Sequence, residues 1–223
     1  MDRELLRQAL TKFFAGLALT ALLTFVPAGT LRYPGGLLLM AVLFVPMFVA
    51  GLVMMKRAPE LLRRRLNAKE EQLVQKGVIA LSGLMFVACF VLGGLSFRLS
   101  WLTLPWGVQL AAAAMFLVGY ALFGEVLREN EYLSRTVEVQ EGQKLVDTGL
   151  YGLVRHPMYF ATVLMFWAMP LVLGSLASFA VMIPYPFLLV QRIRNEEQVL
   201  EEGLEGYAAY KEKVRWRLIP YVW

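Results

Sequence analysis

Two short polar segments border a long apolar run and hold the side chains best suited to chemistry. The first is Arg155-His156-Pro157-Met158-Tyr159, where a polar loop meets the run from Pro157 to Gln191. Proline is favoured at the first position of a helix, so a helix is predicted to start at Pro157, with His156 at or beside the N-cap. The amide N–H groups of a helix start lack helical partners and can hold an anion. Position alone favours a structural role instead, in which His156 caps the helix and Arg155 and Tyr159 anchor it at an interface.

The second segment follows the apolar run and contains Arg192 and Glu196. Residues four apart share one face of a helix. Spacing alone favours an ordinary ion pair between them, worth a few tenths of a kcal/mol. The alternative is that each side chain contacts a ligand. Two tyrosines, Tyr207 and Tyr210, and the sequence Arg-Leu-Ile-Pro at 217–220 lie further along the chain.

The elements that position these segments are predicted to be membrane-spanning helices. Of the 223 residues, 58% are hydrophobic and 17% are charged, far fewer charges than in a soluble domain. Uncharged runs cover 13–31, 33–55, 78–97 and 99–124, each near the roughly 20 residues that cross a bilayer as a helix. The run 157–191 suits two short helices that turn near Gly174 and Ser175. We therefore predict an all-α polytopic membrane protein with about six transmembrane segments, the last two a short helical hairpin, followed by a cytoplasmic C-terminal helix.

The distribution of basic residues predicts which side each connection faces. Three Lys or Arg precede the first run, seven lie between Lys56 and Lys76, four between Arg128 and Arg155, and six after Gln191. The other two connections hold Arg32 and Arg98. Because basic residues favour the cytoplasmic side, both termini are predicted to be cytoplasmic. The sequence favours a prokaryotic inner or cell membrane as the location, and a retained first segment over a cleaved signal peptide.

Several function classes are disfavoured by composition. The net charge of +5 and the cluster Arg63-Arg64-Arg65 favour binding of anionic membrane lipid over binding of nucleic acid, because the cluster lies between two apolar runs. Cys89 is the one cysteine and His156 the one histidine, so neither an internal disulfide nor a metal site is expected. The apolar runs of residues 1–104 carry no charge, whereas polar groups gather beside the membrane in residues 105–223. We expect the chemistry in the second part, which includes a polar connection from Glu125 to Arg155.

The C-terminal part resembles the isoprenylcysteine carboxyl methyltransferase family and its broader relatives, which include phospholipid N-methyltransferases. The resemblance covers about residues 125–223. It is carried by Gly-Leu-Tyr-Gly-Leu-Val-Arg-His-Pro-Met-Tyr at 149–159, Arg-Asn-Glu-Glu at 194–197, Tyr-Ala-Ala-Tyr at 207–210 and Arg-Leu-Ile-Pro at 217–220. The run from Glu201 to Tyr207 is one residue shorter than the common family spacing, so Tyr207 and Tyr210 are not assigned to the site.

The resemblance implies a site for S-adenosylmethionine in residues 105–223. The cofactor-binding residues that it implies are Gln143, Lys144, Leu145, Val146, Tyr151, His156, Pro157, Met158, Tyr159 and Glu196. It also implies that Arg192 contacts the acceptor and serves as the catalytic residue. Physical chemistry is compatible with these roles, since a helix start can hold a carboxylate, an aromatic ring can pack on adenosine, and a carboxylate can accept ribose hydroxyls.

The resulting hypothesis is an S-adenosylmethionine-dependent methyltransferase that acts on a lipophilic or lipidated acceptor reached from the bilayer. The carboxylate of a prenylated cysteine-like substrate is the favoured acceptor. Three alternatives stay open: a phospholipid N-methyltransferase, a sterol-reductase-like intramembrane enzyme that uses NADPH, and a catalytically silent membrane scaffold.

Overall fold

The computed structural model describes residues 2–67, 73–133, 137 and 139–223, and most of them are helical. The helices are α1 (Arg3–Ala28), α2 (Pro34–Arg57), α3 (Pro59–Asn67), α4 (Leu73–Leu99), α5 (Trp106–Glu129), α6 (Pro157–Val172), α7 (Leu176–Met182), α8 (Tyr185–Gly203) and α9 (Tyr207–Lys213). A short 3₁₀ helix covers Gly149–Gly152. Within these ranges, extended pairing is limited to an isolated bridge between Thr103 and Ser175. The predicted all-α fold is therefore confirmed.

Length and composition identify the helices that cross the membrane. The stretches long and apolar enough, among the described residues, are Arg3–Ala28, Pro34–Arg57, Gln75–Leu99, Trp106–Glu129 and Leu176–Gly203. Helix α6 is a shorter apolar helix of 16 residues, about 24 Å long at 1.5 Å per residue. The five long stretches support the predicted multi-pass membrane protein, and α6 is the shorter first arm of the predicted hairpin.

The last two segments form a hairpin whose second arm is broken. The turn lies at Gly174, with φ of 71°, and at Ser175, which caps α7 by accepting from the Ser178 N–H; this is the position predicted from sequence. The helical path is then interrupted between α7 and α8, a feature that the sequence analysis did not predict. Pro186 has no N–H to offer the carbonyl of Met182 four residues earlier. The indole N–H of Trp167 in α6 donates to that carbonyl at 3.0 Å, so the break carries a satisfied hydrogen bond.

The loops gather at the two ends of the helices. At one end the Tyr33 hydroxyl donates to the carbonyls of Gly93 and Leu173, and the Leu104 N–H donates to Gly174. We call this the Tyr33 end.

At the other end, called the polar end below, α3 lies against the start of α1 and against the loop that precedes α6. Arg63 pairs with Asp2, and Arg64 donates to Gln140 at 2.6 Å. The C-terminal segment reaches the same end, where the Arg155 N–H donates to the Trp216 carbonyl at 2.9 Å. Both ends of the chain thus lie at the polar end, as expected for an even number of transmembrane segments. Lys69 and Arg135, two of the basic residues counted above, lie outside the described residues.

Close helix packing joins the helices between the two ends. Helix α5 packs along α6, and α1 packs along α4. Gly119 faces α6 so closely that a Cβ atom there would lie 3.1 Å from the Ala161 carbonyl oxygen. A Cβ at Gly94 would lie 2.9 Å from the Ala28 nitrogen. Small residues permit this approach of backbones, which is how helices associate when lipid replaces water.

Candidate functional site

A cavity opens at the polar end, where the second half of the chain folds over the start of α6. It encloses about 770 Å³, counting the space at its open mouth. Its walls come from the loop after α5, the 3₁₀ helix, the start of α6, the C-terminal part of α8, and α9. The lining residues are Asn130, Tyr132, Leu133, Val137, Gln143, Lys144, Leu145, Val146, Tyr151, Arg155, His156, Met158, Tyr159, Arg192, Glu196, Val199, Leu200, Leu204, Tyr207 and Tyr210.

One side of the cavity is held by a buried charge cluster around Glu197. Its carboxylate accepts from Arg155 Nε at 2.7 Å and from Arg217 Nε at 2.7 Å, and it lies 3.3 Å from His156 Nε2. The side chains of Arg155 and Glu197 are each 5% exposed. A buried carboxylate is tolerated when it is paired and hydrogen-bonded, as here. Arg155 therefore does not reach outward as an interfacial anchor; it closes the base of the site.

The C-terminal segment is fastened to the start of α6 by backbone hydrogen bonds. The His156 N–H donates to the Arg217 carbonyl at 2.8 Å, beside the bond from Arg155 to Trp216. Arg155 Nη1 also donates to the carbonyls of Val214 and Arg215, at 2.7 and 2.9 Å. The segment 214–217 thus forms a strap that fixes the residues before Pro157.

The structure confirms that α6 starts at Pro157 with His156 as N-cap residue. The side chain of His156 does not cap the helix; it faces Glu197, and its ring stacks on Tyr159 with centroids 5.7 Å apart. The N–H groups of Tyr159 and Phe160 both donate to the His156 carbonyl, at 3.1 and 3.3 Å. An anion at this helix start would therefore use the Met158 amide rather than several amides.

Arg192 and Glu196 face the cavity from α8, and Tyr159 of α6 connects them. Arg192 Nε donates to the Tyr159 hydroxyl at 2.8 Å, and that hydroxyl donates to Glu196. The guanidinium also lies over the Tyr159 ring, 5.9 Å from its centroid. The two side chains lie on one face of α8, as expected. The hydroxyl of the buried Tyr159 lies between them and is hydrogen-bonded to both.

A residue of the N-terminal half also reaches Arg192. Gln75 of α4 is fully buried; its side-chain oxygen accepts from Arg192 Nη1 at 3.0 Å. Its amide nitrogen donates to Asn195 at 2.6 Å. The Gln75 amide therefore uses its oxygen and one of its two N–H groups to hold α8 in register with α4.

Tyr151 forms the part of the cavity wall next to the 3₁₀ helix. Its hydroxyl accepts from the Asn130 side chain at 3.0 Å, and its carbonyl accepts from the Tyr210 hydroxyl at 2.8 Å. Burial raises the pKa of the Tyr151 phenol, so the ring presents a neutral aromatic face. Gly149 permits this arrangement, because its φ is 52° and a Cβ there would overlap the Glu129 carboxylate, which accepts from the Leu150 N–H.

Residues Gln143 to Val146 are fixed by a local turn and by packing. The Gln143 side chain accepts from the Gln140 N–H at 2.9 Å. Leu145 packs against the cluster of Tyr207 and its neighbours, and Val146 packs beside Tyr151. This stretch is therefore a defined wall of the cavity.

The structure brings nearly all the predicted site residues to one cavity. Ten of the eleven line it, and Pro157 does not, because it is buried as the first residue of α6. The sequence analysis named Arg155, Tyr207 and Tyr210 without assigning them to the site, and it did not consider Asn130 or the apolar wall residues of α8. The spacing of Val199 and Leu200 after Glu196 could have indicated the last of these. Within the described residues, no three His, Cys, Asp or Glu side chains are grouped to hold a metal ion.

Part of the chain is similar to a known family and to parts of known enzymes. Residues 106–205 match the phospholipid methyltransferase family. A Delta(14)-sterol reductase of Methylotuvimicrobium alcaliphilum is 25% identical over 133 residues, 53% of this chain and 31% of the relative. A Delta(14)-sterol reductase of Mus musculus is 33% identical over 91 residues, 40% of this chain and 22% of the relative.

A methanethiol S-methyltransferase of a Pseudomonas species is 30% identical over 122 residues, 54% of this chain and 44% of the relative. The chain therefore spans less than half the length of each of these three relatives. The cavity walls formed by α8 and the start of α6 fall inside the family match, whereas Gln75 and the strap fall outside it. The chain is thus similar over residues 106–205 to the phospholipid methyltransferase family, and over 40% to 54% of its length to a methanethiol S-methyltransferase and to Delta(14)-sterol reductases.

Proposed function

We propose that this protein is an S-adenosylmethionine-dependent methyltransferase of the membrane that acts on a lipophilic acceptor. The observation that carries the proposal is the cavity at the polar end, which gathers Tyr151, His156, Glu196 and Arg192 around one space. The match of residues 106–205 to the phospholipid methyltransferase family supports it.

The donors and acceptors of the cavity wall fit such a cofactor. Tyr151 offers an aromatic face for a base, and Glu196 offers a carboxylate to hydroxyl groups. The Met158 amide at the helix start, together with Lys144, suits a carboxylate. Bound there, S-adenosylmethionine would supply an activated methyl group on a positively charged sulfur.

The work left to the protein is positioning. A carboxylate acceptor carries a lone pair and a negative charge at neutral pH, so methyl transfer to it needs no general base. The chain aligns donor and acceptor and excludes water, and alignment of this kind can contribute much of a rate enhancement. The single histidine of the chain is therefore compatible with the proposed reaction.

Arg192 is the residue that favours a carboxylate as the acceptor. It lies one helical turn before Glu196, toward the apolar stretch of α8, and is held by Tyr159 and Gln75. A guanidinium fixed in this way can orient both oxygens of a carboxylate. We therefore favour a prenylated cysteine-like acid over an amine headgroup, which would have to lose a proton before it reacts.

The chief alternative is a sterol-reductase-like enzyme that uses NADPH. It is favoured by the similarity to two Delta(14)-sterol reductases, which involves part of each protein. A phospholipid N-methyltransferase is the second alternative, suggested by the description of the matching family.

Ligand-dependent thermal stability separates the first two functions. Protein purified in detergent is heated with S-adenosylhomocysteine, with NADPH, or with neither, because a ligand of the native state raises the unfolding midpoint. We expect S-adenosylhomocysteine to raise it and NADPH to leave it unchanged. Arg98→Gln at the Tyr33 end serves as a control that should respond like the unmodified protein. A response to NADPH and not to S-adenosylhomocysteine would overturn the proposal.

Methyl transfer then identifies the acceptor chemistry. The protein is incubated with S-adenosylmethionine labelled in its methyl group and with either a farnesylated N-acetylcysteine or phosphatidylethanolamine vesicles. A methyl ester releases methanol in alkali, whereas an N-methyl group does not. We expect label that alkali releases from the farnesylated acid, and alkali-stable label in phosphatidylethanolamine would instead assign the protein to amine methylation.

A further inference from the structure

Two tyrosines one turn apart in α9 line the cavity, and they differ in their hydrogen bonding. Tyr210 is 4% exposed and donates to the Tyr151 carbonyl at 2.8 Å. Tyr207 is 3% exposed, and its hydroxyl has no hydrogen-bond partner among the described residues. Buried polar groups are nearly always hydrogen-bonded, so an unpaired hydroxyl in a cavity wall requires an explanation.

Packing against neighbouring side chains holds the Tyr207 ring, and therefore its hydroxyl, in one position. It packs in a cluster with Leu204, Tyr210 and Val214, and it meets the Tyr210 ring with centroids 5.7 Å apart. Gly206, with φ of 83°, sets the start of α9 directly before it. Since the ring is packed on its sides and Tyr207 lines the cavity, the cavity is the space from which a partner can reach the hydroxyl.

Phenylalanine would fill the same space without burying an unpaired hydroxyl, which costs free energy comparable to a lost hydrogen bond. The charges near Tyr207 indicate the form in which it acts. Burial raises its pKa, and the carboxylates of Glu197 and Glu196 raise it further. The hydroxyl therefore keeps its proton and is available as a donor.

We propose that the Tyr207 hydroxyl is a ligand-binding group of the cavity and donates a hydrogen bond to an oxygen or nitrogen acceptor of the bound cofactor. This inference deepens the proposed function, since it adds a residue to the same cofactor site. It also restores to the site a tyrosine that the shortened run from Glu201 to Tyr207 led the sequence analysis to omit.

The experiment compares Tyr207→Phe with the matched variant Tyr210→Phe. Binding of S-adenosylhomocysteine and of NADPH is measured by calorimetry on each detergent-solubilised protein, and the unfolding midpoint is measured without ligand. Tyr207→Phe should weaken cofactor binding about five- to tenfold, the effect of one hydrogen bond, and should leave the midpoint unchanged or raised. Tyr210→Phe should lower the midpoint, because it removes a buried bond between α9 and the 3₁₀ helix.

The outcomes separate this inference from the proposed function. Binding of NADPH in place of S-adenosylhomocysteine would defeat the methyltransferase proposal, and the Tyr207 test would then be made with NADPH. Unchanged affinity of Tyr207→Phe for whichever cofactor binds would overturn the inference alone. A midpoint lowered as far as in Tyr210→Phe would also overturn it, because the hydroxyl would then have an internal partner. Failure of the unmodified protein to bind either compound would overturn both proposals.

Discussion

The hydroxyl of Tyr159 stands between a cation and an anion on the same helix. It accepts from Arg192 and donates to Glu196, which uses its one proton and one of its lone pairs. Each charged side chain is therefore oriented by a neutral residue of α6. Removing one charge leaves the other with its hydrogen bond to Tyr159, so the two can be tested separately.

Substitution of Glu196 is expected to weaken cofactor binding, whereas substitution of Arg192 is expected to lower methyl transfer. Glu196→Gln should raise the dissociation constant for S-adenosylmethionine roughly tenfold or more, since it removes a charged acceptor. Arg192→Ala should change that constant by less than about threefold and lower transfer to a carboxylate acceptor on the order of a hundredfold. Arg192→Lys should recover part of the transfer, because an ammonium lacks the planar fork. Cofactor titration and labelled methyl transfer measure both effects, and equal losses in both assays for both residues would refute the division of roles.

The buried carboxylate of Glu197 should matter for stability more than any exposed charge. Glu197→Gln leaves the Arg155 and Arg217 guanidiniums facing a neutral amide, and loss of one member of a buried ion pair costs on the order of 3 kcal/mol. We expect a lower unfolding midpoint by calorimetry. The exposed pair of Arg128 with Glu125 provides the control, since Glu125→Gln should alter stability by less than about 1 kcal/mol. Equal midpoints for the two variants would show that the Glu197 cluster does not stabilise the fold.

The sequence could not predict which side chains are hydrogen-bonded to one another in the site. The apolar segments are readable because each run has the length of a bilayer, and the start of α6 is readable because proline fits a first helical position. The pairing of Glu197 with Arg155 and Arg217 depends on how α8, α6 and the strap are turned toward one another. A spacing of four along α8 suggested a direct ion pair for Arg192 and Glu196, and it could not reveal the hydroxyl of α6 between them.

At the scale of elements, α4 contributes to the site by holding α8. Gln75 is the buried link, and it lies outside the segment that matches the phospholipid methyltransferase family. The apolar half of the chain is therefore more than a membrane anchor. Through Gln75 it holds the guanidinium of Arg192, which lines the cavity.

Gln75→Leu should separate the positioning of Arg192 from cofactor binding. Leucine has a similar volume but cannot bond Arg192 or Asn195, so the guanidinium loses one of its fixed contacts. We expect a several-fold higher KM for the carboxylate acceptor, a smaller change in kcat, and unchanged affinity for S-adenosylhomocysteine. Gln109→Leu, which removes a bond to the Leu104 carbonyl at the Tyr33 end, is the matched control and should leave that KM unchanged. Equal effects of the two substitutions on KM would reduce Gln75 to a general stabilising role.

At the scale of the whole molecule, the polar end and the Tyr33 end differ in structure. The Tyr33 end joins its loops by hydrogen bonds between buried groups, such as Ser96 with Ser175 at 2.7 Å. The polar end carries the cavity, the strap and α3. The distribution of basic residues predicts that the polar end faces the cytoplasm, where a water-soluble cofactor would be available.

Cysteine labelling tests this orientation. In a Cys89→Ala background, single cysteines replace Arg32 or Thr103 at the Tyr33 end and Glu141 or Tyr221 at the polar end, all of which are exposed. A reagent that cannot cross the membrane should label the first two from outside intact cells and the last two only after the membrane is opened. External labelling at position 141 or 221 would contradict the predicted orientation.

The strap from 214 to 217 also fixes an order of events during biosynthesis. A ribosome delivers the chain from the N-terminus, at about 5 to 20 residues per second, and earlier segments begin to fold before later ones emerge. The start of α6 and Glu197 leave the ribosome before the strap does, and until the strap emerges the start of α6 lacks the carbonyls of Trp216 and Arg217. The cavity at the polar end cannot take its final form at that stage, so it is completed only after the helices that surround it have emerged.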